Sequence, residues 1–358
     1  MGRYHWFSLQ VRPVGGSCNY HCRYCNYGKE KWDGRIMSDQ TLSDLIEKFL
    51  NYSHPYANFC WHGGEPTLAG PKFFSQVLTL TEKFKQADQI ISHQLQTNGF
   101  GITNELASIF NDGNFGIGVS IDGPEFVHNI NRRTFGGRDT FRKTMEGLSL
   151  LRKYDIPVSV ISTVSNTTLA YSREVFEYLV GAGFRSISYS PVFDSLESDG
   201  LSITDDEWYN YLREVFESWW EYGDPDIGIR ELDEVIAWIS GKRINCCSSA
   251  RTCCHWLSID RDGSIYPCER YNQKISFGNI SQINLYDIPN DPVFRKFAKQ
   301  SRFVSPECKN CEYLRLCGNG CPNMRVSDNQ LTAEGKYGFC TQRRSLYQLV
   351  SSTFAKAY

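Results

Sequence analysis

Cys18-Asn19-Tyr20-His21-Cys22-Arg23-Tyr24-Cys25 sets three thiols in a loop that opens with Gly15 and Gly16 and follows the apolar run Phe7 to Val11. Three thiolates at this spacing ligate three irons of a 4Fe–4S cube and leave the fourth iron for an exchangeable ligand, whereas fully ligated ferredoxin cubes use four cysteines. Zinc is the other chemistry such a triplet serves. Structural zinc wants four protein ligands, however, and no His or Cys follows Cys25 at the usual close spacing.

Outward from this loop, strand-like and helix-like segments alternate. After Phe7 to Val11, strand candidates run from Asn58 to His62, Ser92 to Gln96, Phe115 to Ile121, Val158 to Val164 and Arg185 to Pro191. Between them the spacing predicts helices over 38–50, where Ser38 precedes Leu42, Leu45, Ile46 and Phe49, and over 72–84, 104–111, 140–153 and 169–181. Six strands, each followed by a helix, imply a parallel α/β sheet with right-handed crossovers, open or curled into a partial barrel. Chemistry then belongs at the C-terminal strand ends.

From about 204 the pattern changes. Helical stretches over 204–222 and 230–240 lead into a cysteine-rich region, where Trp256 to Asp260, Gly263 and Ser264 to Pro267 read as a hairpin. A last helix is expected over 341–356. The division is drawn at 1–225 and 226–358.

Lys plus Arg number 38 and Asp plus Glu 40, a net charge of -2, so the basic footprint of a duplex nucleic-acid binder is missing. No apolar run approaches the roughly 20 residues of a membrane helix, and the start lacks a signal peptide's apolar stretch. The expectation is a soluble, cytoplasmic chain with no nucleic-acid or membrane partner. Of the 14 cysteines, three lie in 18–25, four in 246–254 and four in 308–321. Without an export signal, such clusters favour metal ligands over disulfides.

The triplet, with Tyr24 before its last Cys, resembles the signature of the radical S-adenosylmethionine (SAM) superfamily. Its companions follow in order: His62-Gly63-Gly64-Glu65-Pro66-Thr67, Gln96-Thr97-Asn98-Gly99 and Ser120-Ile121-Asp122-Gly123-Pro124. The resemblance implies a partial (β/α)6 TIM-like barrel and SAM chelated at the open iron, whose reductive cleavage yields a 5′-deoxyadenosyl radical. It also implies SAM contacts from Tyr24, Gly64, Glu65, Ser120, Arg132 and Phe193. Glycines 63 and 64 are expected to let backbone polar groups approach the SAM ammonium. An arginine suits the carboxylate because its guanidinium forks onto two oxygens.

Cys308-x2-Cys311-x5-Cys317-x3-Cys321, then Cys340, with Gly263-x4-Cys268 and Cys247-x5-Cys253 upstream, resembles the SPASM subfamily. That resemblance implies a C-terminal SPASM domain with two auxiliary 4Fe–4S clusters, three in all. Cys247, Cys253, Cys268 and Cys321 would hold the first auxiliary cluster, and Cys308, Cys311, Cys317 and Cys340 the second. Cys246 and Cys254 adjoin two of these ligands, so either choice of neighbour stays open. Two zinc sites are the alternative, since Cys-x2-Cys is also a zinc signature.

The implied partners are a precursor peptide or protein substrate and an external one-electron reductant of flavodoxin or ferredoxin type. Within this class, anaerobic sulfatase maturases carry an Asp after the Cys matched by Cys268, whereas here Glu269 follows. The longer side chain moves the proton acceptor about one methylene outward, which matters for a group that must come within hydrogen-bond reach. A ribosomal-peptide maturase forming a carbon–carbon crosslink of the cyclophane type is therefore the first expectation, with Glu269 as catalytic proton acceptor. A sulfatase maturase forming formylglycine is the second, favoured by the overall length and the lack of an N-terminal peptide-recognition domain. A non-catalytic iron–sulfur electron carrier is the reading from another class. Trp61, His62, Tyr27 and Tyr189 lie near predicted strand ends, although most aromatics in a 14%-aromatic chain belong to the core.

Overall fold

The computed structural model describes residues 7–25, 30–193, 200–244, 246–271, 275–327 and 330–357. Strands β1 (Ser8–Val11), β2 (Tyr56–Trp61), β3 (Ile90–Thr97), β4 (Gly116–Ser120), β5 (Val158–Val164) and β6 (Ser186–Pro191) pair in sequence order. Every pair is parallel. Crossovers are made by α1 (Asp39–Tyr52), α2 (Gly70–Phe84), α3 (Asn104–Asp112), α4 (Glu125–Asn131), α5 (Phe141–Lys153) and α6 (Ser172–Gly181). The short α4 has too few turns to show a period in the sequence. The six expected strand–helix units are all present.

Local rules account for these elements. In α1, Ser38 Oγ accepts from the Thr41 N–H at 3.1 Å, and Leu42, Leu45, Ile46, Phe49 and Leu50 are buried on one face. On β2, Ala57, Phe59 and Trp61 are buried, and Trp61 packs against Phe73 and Phe74 of α2. Burying each of these large rings contributes about 1.5–3 kcal/mol. By the period of two, Gln10, Asn58, Cys60 and Gln96 turn to the other, concave face. Closed TIM barrels fill that face with branched apolar residues. Polar residues here leave it available for a site.

The sheet does not end with the six strands. β7 (Gly228–Ile229), after α7 (Asp205–Tyr222), adds beside β6, and β8 (Trp256–Ile259) lies parallel to β1. β9 (Ile265–Tyr266) pairs antiparallel with β8 as the expected hairpin. The full order is β9-β8-β1-β2-β3-β4-β5-β6-β7. Periodicity identifies a strand but not a partner so distant in sequence, which is why the pairing of β8 with β1 was not legible. The division drawn at 225 falls between α7 and β7, and the sheet continues across it.

The rest of the C-terminal half comprises α8 (Arg230–Ile239), α9 (Pro292–Ser301), a three-stranded sheet and α10 (Cys340–Ala357). Arg325 is buried, and its guanidinium donates to the carbonyls of Asn319, Gln300, Ala333, Ser301 and Gly320, fixing the loop around Cys321. Asp205 accepts from the Thr341 and Gln342 N–H groups at 2.8 and 2.7 Å. A residue of the barrel half thus caps the helix that begins at Cys340. Among the described residues no helix is long and apolar enough to cross a membrane.

Candidate active site

The C-terminal strand ends, the cysteine loop and the turn after β9 enclose a cavity of about 390 Å³. Cys18, Cys22 and Cys25 line one wall; Gly63, Gly64, Ser120, Arg132, Phe193 and Glu269 line the others. The loop is tied to the end of β2 by the Gly64 N–H on the Gly15 carbonyl and the Glu65 N–H on the Ser17 carbonyl, both at 2.9 Å. A Cβ at Gly64 would stand 1.9 Å from the Ser17 carbonyl oxygen, and Gly63 has φ +109°. The sequence reading assigns these glycines to the approach of the SAM ammonium. Their tighter constraint is the cysteine loop, whose backbone occupies the space a side chain would need.

Glu65 is fully buried. Its carboxylate accepts from Thr67 N and Oγ1 (3.1 and 2.7 Å), Thr97 Oγ1 (2.8 Å) and Asn98 N (2.7 Å). Burial pushes its pKa up while these donors pull it down. The side chain is therefore a staple between the ends of β2 and β3 that holds the glycines and Asn98. Asn98 Nδ2 in turn reaches Cys18 Sγ at 3.7 Å, and the Tyr20 N–H reaches the same sulfur at 3.3 Å.

Asp122, just past β4, organises the opposite wall. It accepts from the Tyr24 hydroxyl, from Arg132 Nη2 at 3.0 Å and from the Thr163 N–H at 2.9 Å. The Arg132 guanidinium also lies over the Tyr24 ring, 5.5 Å from its centre. Tyr24 and Arg132 thus arrive at the cavity as a locked unit. The sequence motif contains Asp122, but nothing in its spacing announces this role. Ser120 Oγ accepts from Gln96 Nε2 at 3.0 Å. The Phe193 ring packs edge-on against Phe339, 5.0 Å between centres.

Glu269 faces the cavity from a single turn after Cys268. Gln10 Nε2 donates to its Oε2 at 2.6 Å, its own N–H donates to Gln10 Oε1 at 3.2 Å, and His62 Nδ1 lies 3.1 Å from the same Oε2. Gln10 was missed by the sequence reading. The signal was present as a lone long polar residue within an apolar strand. Of the four aromatic candidates, His62 lines this cavity, while Trp61 is core and donates to His93. Tyr189 lines a neighbouring chamber, and Tyr27 lies outside the described residues.

The neighbouring chamber, about 240 Å³, shares Ser190, Pro191, Arg230 and Arg270 with the first and is walled by Cys246, Cys247 and Cys321. Arg230 is held by Glu231 and by the Tyr189 carbonyl at 2.9 Å. Neither arginine carried a sequence signal, because each is solitary in its segment.

The thiols fall into three mutually interacting sets. Burial pushes Cys22 up to about 12 against the opposing Arg132 charge, with Cys25 among the contributors that raise it. Cys18 is also raised, first by burial, with Cys22 and Cys25 adding. Cys247 feels Cys253 and Cys321, Cys253 feels Cys268 and Cys321, and Cys268 feels Cys321. Cys308 feels Cys317 and Cys311, and Cys340, pushed up to about 11 mainly by burial, feels Cys317 and Cys308. Cys254 accepts from Arg302 Nη2 at 3.3 Å, and Cys246 bonds to the neighbouring Cys247 thiol, the strongest influence on it, as well as contacting Ser248 Oγ at 3.2 Å. Among the described residues no three such groups surround a single ion position. Each set is a crowd of buried or half-buried thiols that oppose one another's ionisation, a donor set that suits a multi-iron core supplying positive charge.

Residues 13–179 match the family described as the Radical SAM superfamily, and residues 246–312 match SPASM, described as an iron-sulfur cluster-binding domain. A cysteine-type anaerobic sulfatase-maturating enzyme of Clostridium perfringens is 29% identical, with 95% of this chain and 95% of the relative covered. A serine-type anaerobic sulfatase-maturating enzyme of Bacteroides thetaiotaomicron is 26% identical over 95% of this chain and 87% of the relative. A solved structure described as native anSMEcpe with bound AdoMet and Cp18Cys peptide superposes with a TM-score of 0.88 at 27% identity, covering 98% of both chains.

Proposed function

We propose that this chain, a radical SAM enzyme with a C-terminal SPASM domain and with SAM and 4Fe–4S clusters as cofactors, oxidises a cysteine or serine side chain of a protein substrate to formylglycine. The observation that carries the reading is Glu269: its carboxylate, held by Gln10, shares one cavity with the cysteine trio and adjoins Cys268. In this reading Cys18, Cys22 and Cys25 hold the SAM-binding cluster. Cys247, Cys253, Cys268 and Cys321 hold the first auxiliary cluster, and Cys308, Cys311, Cys317 and Cys340 the second.

With SAM bound, the first cluster supplies a 5′-deoxyadenosyl radical that takes one hydrogen atom from the substrate Cβ. The protein's residues do the remaining work. Tyr24 and Arg132, locked on Asp122, form the cofactor wall, with Ser120 and the Phe193 backbone beside it, and Glu65 holds the Gly63-Gly64 turn in register. Glu269 accepts the proton from the substrate thiol or hydroxyl, and the electron departs past the adjacent Cys268. The side chain gives up a hydrogen atom, a proton and an electron and gains a carbon–heteroatom double bond. For cysteine, water then replaces the sulfur, which leaves as hydrogen sulfide. A flavodoxin- or ferredoxin-type reductant delivers the electron that cleaves SAM.

The crosslink-forming reading ranked first on sequence gives way here. It rested on Glu269 standing in place of Asp, and the similarity to cysteine- and serine-type maturases over nearly the whole chain outweighs that difference. The extra methylene is also taken up, since Gln10 holds the longer carboxylate within the cavity. The test is anaerobic turnover with SAM and dithionite of cysteine- and serine-containing sulfatase peptides. A hydrazine-trappable aldehyde is the expected product. SAM cleavage with no aldehyde from either peptide, and a carbonyl-free crosslink in another peptide, would restore the crosslink reading.

A further inference from the structure

Arg343 stands on the first turn of α10, three residues after Cys340, with its guanidinium turned toward the thiols. Nη1 donates to the Cys317 carbonyl at 3.0 Å and reaches Cys317 Sγ at 3.6 Å, while Nη2 donates to Ser248 Oγ at 3.1 Å. The guanidinium carbon lies over the Tyr337 ring, 4.3 Å from its centre. Ser248 follows Cys247, so one side chain ties the two auxiliary thiol sets together. Among the described residues it forms no ion pair with a carboxylate. Glu234, whose charge it feels, accepts instead from Ser249 Oγ at 2.7 Å. Arg132 at the first cysteine trio also bears on a thiol, Cys22, but differs in being paired with Asp122 at 3.0 Å.

We infer that Arg343 is a positioning residue that acts through Cys317 to raise the electron affinity of the second auxiliary cluster. The inference rests on the reading that Cys308, Cys311, Cys317 and Cys340 hold that cluster. Reduction adds one negative charge to a core already surrounded by four thiolates. Cluster potentials respond to net charge and to hydrogen bonds on the sulfurs. A guanidinium that donates to a ligand sulfur and is not cancelled by a carboxylate stabilises the reduced form more than the oxidised one. Because arginine keeps its proton throughout the accessible range, the effect is permanent rather than pH-gated.

The experiment uses the full chain carrying Cys18→Ala, Cys22→Ala and Cys25→Ala, so that only the auxiliary signals remain, in an EPR-monitored reductive titration. Adding Cys317→Ala removes one signal and thereby identifies the second auxiliary cluster. At the midpoint potential of that cluster in the parent, Arg343→Met should lower its reduced-to-oxidised ratio about tenfold, 59 mV for a one-electron couple. The other signal should stay in place. Arg343→Lys, which keeps the charge but loses the fork, should shift it less. An Arg343→Met protein with full iron and an unmoved midpoint overturns the inference. Should that variant lose the cluster, the parent labelled with guanidino-15N arginine decides: a 15N hyperfine coupling on the reduced second cluster supports the contact, and its absence in the parent refutes it. Full iron retained by the Cys317→Ala protein would instead overturn the ligand assignment beneath the inference.

Discussion

The cysteine trio at 18–25 and the eight cysteines at 247–340, proposed to hold two kinds of cluster, are built in opposite ways. The trio is contiguous, opens onto the large cavity, and has beside it an arginine already neutralised by Asp122. The eight are gathered from segments far apart in sequence, and the arginine among them donates to a ligand sulfur. The first arrangement suits a site that must admit and release a small molecule, because its charges are balanced before the molecule arrives. The second suits sites that keep their cargo and change only its charge. Glu269 sits where the two meet, after an auxiliary cysteine and inside the cavity of the trio.

The largest effect should come from removing one side of this contrast. Replacing Cys18, Cys22 and Cys25 by Ala should abolish SAM cleavage and remove about four irons, leaving about eight on the auxiliary sets. Iron analysis and 5′-deoxyadenosine assay test this, and loss of all iron would mean that the sites do not assemble independently.

Next comes the register within the other side. Cys253→Ala should lose the first auxiliary cluster, whereas Cys254→Ala should keep it, since Cys253 feels Cys268 and Cys321 while the Cys254 sulfur accepts from Arg302. The reverse pattern in iron content would reassign the ligand by one residue.

At the junction, Glu269→Gln preserves size while lowering basicity. Product formation should fall by about 10²-fold, the lower end for a positioned acid or base, with SAM cleavage retained. Equal loss of both activities would mark Glu269 as part of the cavity's structure rather than as proton acceptor.

The smallest effect concerns the barrel behind Asp122. Burial lowers His128 to about 3 and His93 to about 4. The unfolded chain takes up protons below its ordinary histidine pKa, near 6.5, that the native chain refuses. Stability is therefore fully present above that value and is lost as pH falls toward the folded pKa values. His128→Gln should flatten this acid limb by about 1–2 kcal/mol between roughly pH 7 and pH 5, read by denaturant unfolding. An unchanged pH slope would show that His128 is not held neutral.

Much of this site is legible in the order of residues alone. The three N-terminal ligand candidates, the glycine turn and the strand-end motifs are short, local patterns whose chemistry requires fixed spacing. Helix limits can be read to within a few residues because Ser38, Thr103 and Thr204 cap them and the apolar period is regular. The supporting contacts are not legible in this way. Gln10 meets Glu269 across 259 positions of sequence, and Asp122 collects a tyrosine, an arginine and a backbone N–H from three separate segments. Adjacent cysteines such as 246 and 247 are equivalent in composition and spacing, and only their surroundings distinguish them.

The sequence by itself determined the order of strands and helices, the family resemblance and the short-range donor sets, because backbone period and local ligand spacing act over a few residues. Tertiary structure alone decided that β8 joins β1, that Gln10 holds Glu269, that Glu65 is a staple, and that Arg132 is paired with a carboxylate while Arg343 lies against a sulfur without such a pair among the described residues. These outcomes depend on which buried polar groups find one another when the sheet closes. A buried donor or acceptor must be matched wherever the chain brings it, and no local pattern records the partner.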